Sequence, residues 1–521
     1  MAATGRTRRA LTRPLHDLDD LGHLGHLGPL GDLGGPGDAV PARPHGGEPH
    51  PLLRHHRWIE LARIGEYARM GLLGPQTAER IRRAVLALSP EPATGSGTAV
   101  LPDPLPALEA CVRSRLPDDA RVWHADPVRD DVRACARLMR GRERLLGTVA
   151  AVSRLSRTSM EVAARHSGSV MPGSPRRGDR PAQAMTFGFY LAALAEATAG
   201  AAESLQALFD AVNLCPLGSG AMTGLEAPWD RHRLAVALGF DGPQPHALTS
   251  AASGAWVLRP AGELSVLGTT LNRFLNDLIR WSGPGRRFVG LPDELSGPSP
   301  AGTRAPVPVV LEGIRDMTRH LAGLSYEIMA AQRDIGYADP DGAGHDGHAA
   351  EELFSTCGTM LALLDRVVAN LRFHPERASR AVRDEPVAVP AVAAHLTLEH
   401  GVPDGTARAV VDAWASASGG KGGPAGALTP ARLSASGLTA AGERFGVALN
   451  VGEAEVRELL DPEGVVRRKR TAGSTGPEQV LLLLEQVGDR LAAVDRGTAQ
   501  RSGWLREAWE HTAGTRAGEA S

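Results

Sequence analysis

The chain is poor in cysteine and carries almost no net charge. Its four cysteines, spread over 521 residues, lie far apart, which excludes closely spaced zinc motifs and the disulfide framework of small secreted domains. Lysine and arginine (57) nearly balance aspartate and glutamate (59), so the net charge of -2 creates no field that would recruit nucleic acid or an acidic membrane. We therefore expect the cysteines to be reduced, buried side chains and the large polyanions not to be partners.

Long apolar runs and aromatic side chains are also scarce. No stretch of about 18 uninterrupted apolar residues occurs, so no membrane span is expected. The basic N-terminus, MAATGRTRRALTRPLHD, lacks the apolar core of a secretory signal, and we predict a cytoplasmic protein. Aromatics make up only 4% of the residues, a composition typical of Ala- and Leu-packed helices joined by Gly- and Pro-rich connections.

Residues 1–50 contain LGHLGHLGPLGDLGG, a three-residue repeat that fits neither helix nor strand. Because glycine recurs throughout the repeat, we predict a disordered tail. The glycines also leave His23 and His26 unorganised as metal ligands, and the same argument applies to GHDGH at 344–348. The sequence therefore predicts no metal site and no cofactor.

A long segment with helical periodicity begins after residue 125. Asp126 is a predicted N-cap and Pro127 suits the first helical position. The pattern continues to His166, which gives a helix of about 60 Å at 1.5 Å per residue. Its apolar residues recur at spacings of three, four and seven: Leu138, Leu145, Val149, Val152 and Leu155.

Four further helical segments follow, at about 188–212, 256–282, 308–334 and 349–373. Five long helices without strand patterns predict an all-α helical bundle. The expected organisation is a tail (1–50), an N-terminal helical domain (51–125), the central bundle (126–373), a C-terminal helical domain (374–460), and an extension with a terminal helix (461–521).

Several segments resemble one enzyme family. MPG (171–173) followed by AQAMTFG (182–188) is similar to an argininosuccinate lyase segment that reads MPG, a Thr-His pair and AQPVTFGH. Further similar segments follow in the order of that family: NLCPLGSGAMTGLEAPWDR (213–231), LGFDG (238–242), WSGPGRRFVGLPD (281–293), HPER (374–377) and HGVPDGTARAVV (400–411). Over about residues 55–415, the chain is identified as an argininosuccinate lyase-like member of the fumarase/aspartase superfamily, divergent at the active site.

The resemblance implies a long-helix bundle of the fumarase/aspartase type, with a three-domain protomer. Four subunits would share a central bundle, and each active site would combine segments of different protomers. It also implies a carbon-nitrogen lyase of amino-acid metabolism that releases fumarate from an N-substituted aspartate-type substrate by β-elimination. Such a reaction requires cations and hydrogen-bond donors around the charge that develops when the proton is removed.

The resemblance also implies site residues, and several of the corresponding segments differ from the family. Where the family has its Thr-His pair, this chain has SPRRGD (174–179), in which Arg176 and Arg177 are candidate carboxylate-binding residues. The flexible catalytic loop of the family corresponds to SGPSPAGTRAPVP (296–308). Ser299 is the candidate catalytic serine there, and Arg304 is a candidate for the missing cation.

The Ser-Arg-Asn-Asp-Gln motif of the family corresponds to VRDDVR (128–133). Arg129 and Asp130 are candidate substrate-binding residues: Arg129 is retained from the family motif, whereas Asp130 replaces an asparagine and would repel a dicarboxylate. Thr186 is a further candidate, although it could equally hold the frame of the site by hydrogen bonds, and His124 could serve in packing or in ligand contact.

Three interpretations remain open at this point. The chain could be a divergent carbon-nitrogen lyase, homotetrameric and acting on a small dicarboxylate or amino-acid-derived substrate. It could instead be a non-catalytic homologue that binds a carboxylate or assembles with a related lyase, since oligomer contacts do not require the chemistry. The third interpretation is unrelated chemistry on the same fold.

Overall fold

The computed structural model describes residues 52–87, 104–116, 123–124, 129–173, 183–292, 295–296, 309–337, 347–384, 389–418 and 433–514. Within these ranges the chain is helical apart from three pairs of very short strands, so the predicted all-α fold is confirmed. None of the described helices is long and apolar enough to cross a membrane. The N-terminal tail with His23 and His26, and the predicted N-cap Asp126, lie outside the described residues.

The helices fall into an N-terminal group, a set of long helices and a C-terminal group. In chain order they are α1 (Leu53–Arg69), α2 (Pro75–Leu86), α3 (Pro104–Arg115), α4 (Asp130–Arg165), α5 (Phe187–Val212), α6 (Arg231–Ala237), α7 (Ala247–Ala252), α8 (Ala255–Ser282), α9 (Val309–Ala331), α10 (Gly347–Ala369), α11 (Pro375–Asp384), α12 (Val389–His400), α13 (Asp404–Ser418), α14 (Ala435–Arg444), α15 (Glu453–Leu460), α16 (Pro462–Arg467) and α17 (Pro477–Ala513).

Helix α4 is the central element of the bundle. Its 36 residues span about 54 Å at 1.5 Å per residue. The five apolar residues whose spacing predicted the helix are all buried, in contact with the main core. Helix α5 packs along it, where Ser156 Oγ donates a hydrogen bond to the carbonyl of Ala195 at 2.7 Å.

Contacts between the long helices show in which direction each one runs relative to its neighbour. Helix α10 runs parallel to α4, because Glu351 near its start binds Arg140 and Arg144, whereas Asp365 near its end accepts from Thr158. Helix α8 also begins beside the first half of α4, where Trp256 packs against Gly141. Helix α9 is antiparallel to α8, with Ser325 Oγ donating to the carbonyl of Ala261 at 2.8 Å.

The terminal helix α17 belongs to the bundle. The terminal helix expected within 461–521 was predicted from EQVLLLLEQVGDRLAAV (478–494), and the observed helix continues beyond that segment to Ala513. Arg490 forms a bidentate ion pair with Glu203 of α5 at 2.7 and 2.8 Å. Farther along, Trp509 packs edge-on against Trp58 of α1, so α17 connects the long helices to the N-terminal group.

The short strands close loops at the ends of long helices. Strands β1 (Val170–Pro172) and β2 (Ala184–Thr186) form an antiparallel hairpin, with Met171 opposite Met185. The remaining pairs are β3 (Leu214–Cys215) with β4 (Gly242–Pro243), which is parallel, and β5 (Val289–Gly290) with β6 (Arg372–Phe373), which is antiparallel. A second apolar core, separate from the long helices, is formed mainly by α12 to α16.

Gly188 permits the close approach of α5 to the end of α4. A Cβ at this position would lie 2.6 Å from both His166 C and Ser167 N, and would also contact the carbonyl oxygen of Ala163. Backbone atoms cannot rotate away as a flexible side chain can, so the two helices must separate to accept a methyl group.

Gly188→Ala is therefore expected to destabilise the protein by about 1–3 kcal/mol. The matched control is Gly200→Ala on the same helix, where a Cβ meets only Arg490 Nη2, at 3.6 Å. Alanine is the better helix former, so this control should be neutral or stabilise by up to about 1 kcal/mol. Thermal unfolding of both variants measures the difference, and equal melting temperatures would contradict the proposed helix contact.

Candidate active site

Helix α4 separates the described site candidates into two groups. Arg129 and Asp130 lie where the helix begins. Thr186 lies beyond its last turn, because the amides of Phe187 and Gly188 donate to the carbonyls of Ser169 and His166 at 2.8 and 2.9 Å. With a helix of about 54 Å between them, the two groups cannot meet within one protomer.

The residues that flank the other predicted segments lie at the second of these ends. Strands β1 and β2 stand on either side of SPRRGD in the sequence, and Thr186 is the last residue of β2. Strand β5, which precedes the segment with Ser299 and Arg304, pairs with β6, and Phe373 of β6 packs against His166. Ser299, Arg304, Arg176 and Arg177 themselves lie outside the described residues.

A buried cluster of charges lies before the start of α4. His124 is in the centre, with Nε2 2.6 Å from Glu60 Oε2 and Nδ1 2.9 Å from Glu109 Oε1. Arg63 pairs with the other oxygen of Glu60 at 3.1 Å, and Arg129 Nε donates to Glu109 at 2.5 Å. We call these five residues the charge cluster. Its members come from α1, α3 and the residues before α4, so it joins three segments.

His124 adopts a backbone φ of +61°, which is uncommon for a residue other than glycine. Both ring nitrogens of His124 lie within hydrogen-bond distance of a carboxylate oxygen, one of Glu60 and one of Glu109. Strained residues of this kind are frequent at functional sites.

The carboxylates of the charge cluster are strongly acidic. Burial alone would raise the pKa of Glu60, but the charges and hydrogen bonds of His124 and Arg63 outweigh it and lower this pKa to about 2. At Glu109, burial also acts to raise the pKa, but hydrogen bonds from His124 and Arg129 outweigh it and lower the pKa to about 2. Both groups are therefore ionised at neutral pH, and they fix the positions of the cations around them.

Asp131 holds a glycine loop against the start of α4. Its Oδ2 accepts hydrogen bonds from the amides of Gly218 and Gly220, at 2.8 and 3.1 Å. Burial raises the pKa of Asp131, whereas the charge of Arg63 and the two amides act in the opposite direction. Both glycines have positive φ, +83° and +63°, which lets both amides point to one oxygen. The NLCPLGSGAMTG motif thus supplies a structural anchor.

Arg129 of the charge cluster and the neighbouring Asp130 remain partly exposed. Arg129 is held by Glu109 and also donates from Nη2 to the carbonyl of His124 at 3.4 Å. Asp130 pairs with Arg133 at 3.5 Å. An anionic ligand that reaches Arg129 would therefore meet a guanidinium whose orientation is already set, with the negative charge of Asp130 beside it.

At the other end, Thr186 acts in the frame of the hairpin. It is fully buried, and its Oγ1 accepts from the amide of Phe189 at 3.0 Å as the N-cap of α5. Its own amide donates to Thr475 Oγ1 at 2.9 Å. These contacts correspond to the alternative in which Thr186 holds the frame by hydrogen bonds. Its role in substrate binding remains a prediction.

The structure also reveals residues near the candidate site that the sequence did not indicate. His166 lies at the base of the hairpin, 5.5 and 5.3 Å from the rings of Phe187 and Phe373. Burial and the charge of Arg165 lower the pKa of His166, which favours the neutral imidazole. Glu60 and Glu109 were likewise missed, because they lie 64 and 15 residues from His124 and no local motif includes them.

The charge cluster makes stability depend on pH in a defined direction. Because the folded-state pKa of Glu60 is about 2 and its ordinary value is 4.5, its contribution is complete above about 4.5 and is lost as the pH falls towards 2. Glu60→Gln should remove this part of the acid dependence and lower stability at neutral pH. Glu79→Gln, which breaks an exposed pair with Arg83, is the control. The measurement is the free energy of unfolding between pH 5 and pH 2. If it depends on pH to the same extent in the parent, Glu60→Gln and Glu79→Gln, the low pKa does not belong to Glu60.

Comparisons with known proteins identify the family of the chain. No protein-family model matches the chain. Argininosuccinate lyase of Natronomonas pharaonis is 30% identical over 411 residues, 77% of this chain and 78% of the relative. That of Methanoculleus marisnigri is 26% identical over 475 residues, 88% and 92% of the two chains. A solved structure of an EDDS lyase variant with bound fumarate superimposes with a TM-score of 0.75 at 23% identity, covering 89% of this chain and 91% of the other. The chain therefore belongs to the argininosuccinate lyase family of the fumarase/aspartase superfamily.

Proposed function

We propose that this protein is a carbon-nitrogen lyase that removes an amine-type leaving group from an N-substituted aspartate-type substrate and releases fumarate. The relatives named argininosuccinate lyase and the fumarate-bound EDDS lyase support this reaction class. The observation that carries the proposal is the division of the predicted site between the two ends of α4. A site divided in this way becomes complete when one end of a protomer meets the opposite end of another.

The proposed assembly is a homotetramer. Its support in this chain is three large apolar side chains on α8 and α9, Val266, Tyr326 and Met329, which are 62%, 71% and 42% exposed. Exposed large apolar side chains can mark a protein interface when they form a patch. Contact between copies through these side chains would bring long helices together, which is the arrangement that the divided site requires.

Each end would make a different contribution to the elimination. At the charge cluster, Arg129 is oriented by Glu109 and would bind a substrate carboxylate. At the hairpin end, Ser299 would take part in proton transfer, and Arg176, Arg177 and Arg304 would supply positive charge for the dianionic intermediate. The cations would stabilise most strongly the species that carries the most negative charge, and this difference lowers the barrier.

A specific observation favours a second candidate function. Arg129 already has a carboxylate partner in Glu109, and Asp130 adds a negative charge beside it. Both features reduce the attraction for a dicarboxylate. The alternative is therefore a non-catalytic homologue that binds a carboxylate, or that serves as the partner subunit of a related lyase.

Turnover distinguishes these candidates. The purified protein should increase ultraviolet absorbance as fumarate forms from argininosuccinate or another N-substituted aspartate. Arg129→Gln should lower kcat/KM by roughly 10²–10³-fold, the usual cost of removing one positioned donor. The control, Arg83→Gln, alters an exposed pair on α2 and should retain activity. If an intact oligomer gives no turnover but is stabilised against heat by dicarboxylates, the non-catalytic alternative is supported instead.

Mixing two inactive variants tests the divided site. Arg129→Gln alters one end, and the double substitution Arg176→Ala and Arg177→Ala alters the other. Each protein alone should be inactive, whereas subunits dissociated, mixed and reassembled should regain part of the activity, because some sites then receive an unaltered segment from each variant. If mixing and reassembly restore no activity, each site lies within one protomer.

A further inference from the structure

Two histidines and a glutamate converge in the C-terminal helical group, away from both ends of α4. His395 and His400 belong to α12, and Glu455 lies in the first turn of α15. Nε2 of each histidine is 3.0 Å from the same oxygen, Oε1 of Glu455. Among the described residues, this is the group of three potential ligands whose donor atoms all lie within 4.8 Å of one another.

We propose that His395, His400 and Glu455 form a binding site for a divalent transition-metal ion of the zinc type. Imidazole and carboxylate are ligands of zinc, at about 2.0–2.2 Å. Two such ligands in a tetrahedral site lie about 3.3 Å apart, on the basis of these bond lengths. The 3.0 Å contacts between the nitrogens and Oε1 are close to that separation, so a small expansion of the triad would admit the ion.

The backbone that carries the three ligands is fixed by the C-terminal core. Leu396 follows His395 and Val456 follows Glu455, and both apolar side chains are buried in the same cluster. The ligands themselves are 22%, 23% and 35% exposed, which leaves room for a water molecule to complete the coordination. Rigid supports with a partly exposed ligand set suit a three-ligand site with a solvent position.

The contacts of Glu455 set its charge. Hydrogen bonds from His395 and His400 lower the pKa of Glu455, so its carboxylate is ionised. In the bound state each imidazole would present the lone pair of Nε2 to the ion, and bonds to the metal would replace the hydrogen bonds to Glu455.

A bound ion would connect the end of α12 to the start of α15, about 55 residues later in the chain. This site is independent of the proposed elimination, because neither helix carries a predicted site residue. It departs from the prediction that the chain has no metal site. The local sequence gave no signal, since the third ligand is distant from the histidine pair.

The experiment uses the full-length chain, freed of metal by a chelator that is then removed. Co²⁺ is titrated with visible absorption as the readout, and Zn²⁺ is used in hydrogen-exchange measurements. One Co²⁺ should bind with ligand-field bands that Zn²⁺ abolishes. His400→Gln, which can still donate to Glu455, should weaken binding by at least the roughly 10–100-fold that loss of an outer-shell partner costs. Zn²⁺ should slow exchange in residues 389–400 and 453–460 of the parent but not of His400→Gln.

The N-terminal tail contains other histidines that can bind metal, so affinity alone is not decisive. His320→Gln is the matched control, because His320 pairs with Glu352 on an exposed surface at 2.8 Å, and no third potential ligand joins them among the residues that the structure describes. This control should keep the Co²⁺ bands and the exchange effect. Identical metal binding by the parent and His400→Gln, with no slowing of exchange in α12 and α15, would overturn the proposal and assign any bound ion to other histidines.

Discussion

The rigidity and length of α4 impose the main constraint on this protein. A continuous helix of 36 residues keeps its two ends about 54 Å apart, and the packing of α5, α8, α10 and α17 against it excludes bending that would bring them together. Residues at its start and residues beyond its end therefore belong to separate surfaces of one protomer. Any chemistry that uses both must involve more than one chain.

Buried polar groups at both ends keep the loops of the candidate site in place. At the start of α4, Asp131 binds the Gly218–Gly220 loop, while the charge cluster orients Arg129. At the far end, Thr186 caps α5.

Between the two ends of α4, the guanidinium of Arg142 is fully buried and donates to Asn213 Oδ1 and to the carbonyl of Gly239, both at 2.7 Å. Because an unpaired buried charge is very costly, these contacts strongly specify the loop conformations. Thr186, Asn213, Gly218 and Gly220 lie in segments that resemble the family, and their described contacts support the frame.

The sequence predicted the bundle because helical periodicity is a local property. The spacing of Leu138, Leu145 and Val149 was sufficient to place α4, and the four later long helices lie close to their predicted ranges. The end of α17 was missed, since its second half is less apolar and is stabilised by contacts with distant residues such as Trp58. The partners of His124 could not be predicted either, because Glu60 and Glu109 reach it only through the packing of α1 and α3. A site composed of several chains is still less accessible to sequence periodicity, and only the motif resemblance suggested it.

The most direct test of the divided site is an experimental structure of the assembled protein with fumarate bound. The account predicts an oligomer in which the ligand lies between Arg129 of one protomer and the residues bracketed by the β1–β2 hairpin of another. A monomer that binds fumarate, or a ligand enclosed by segments of a single chain, would contradict it.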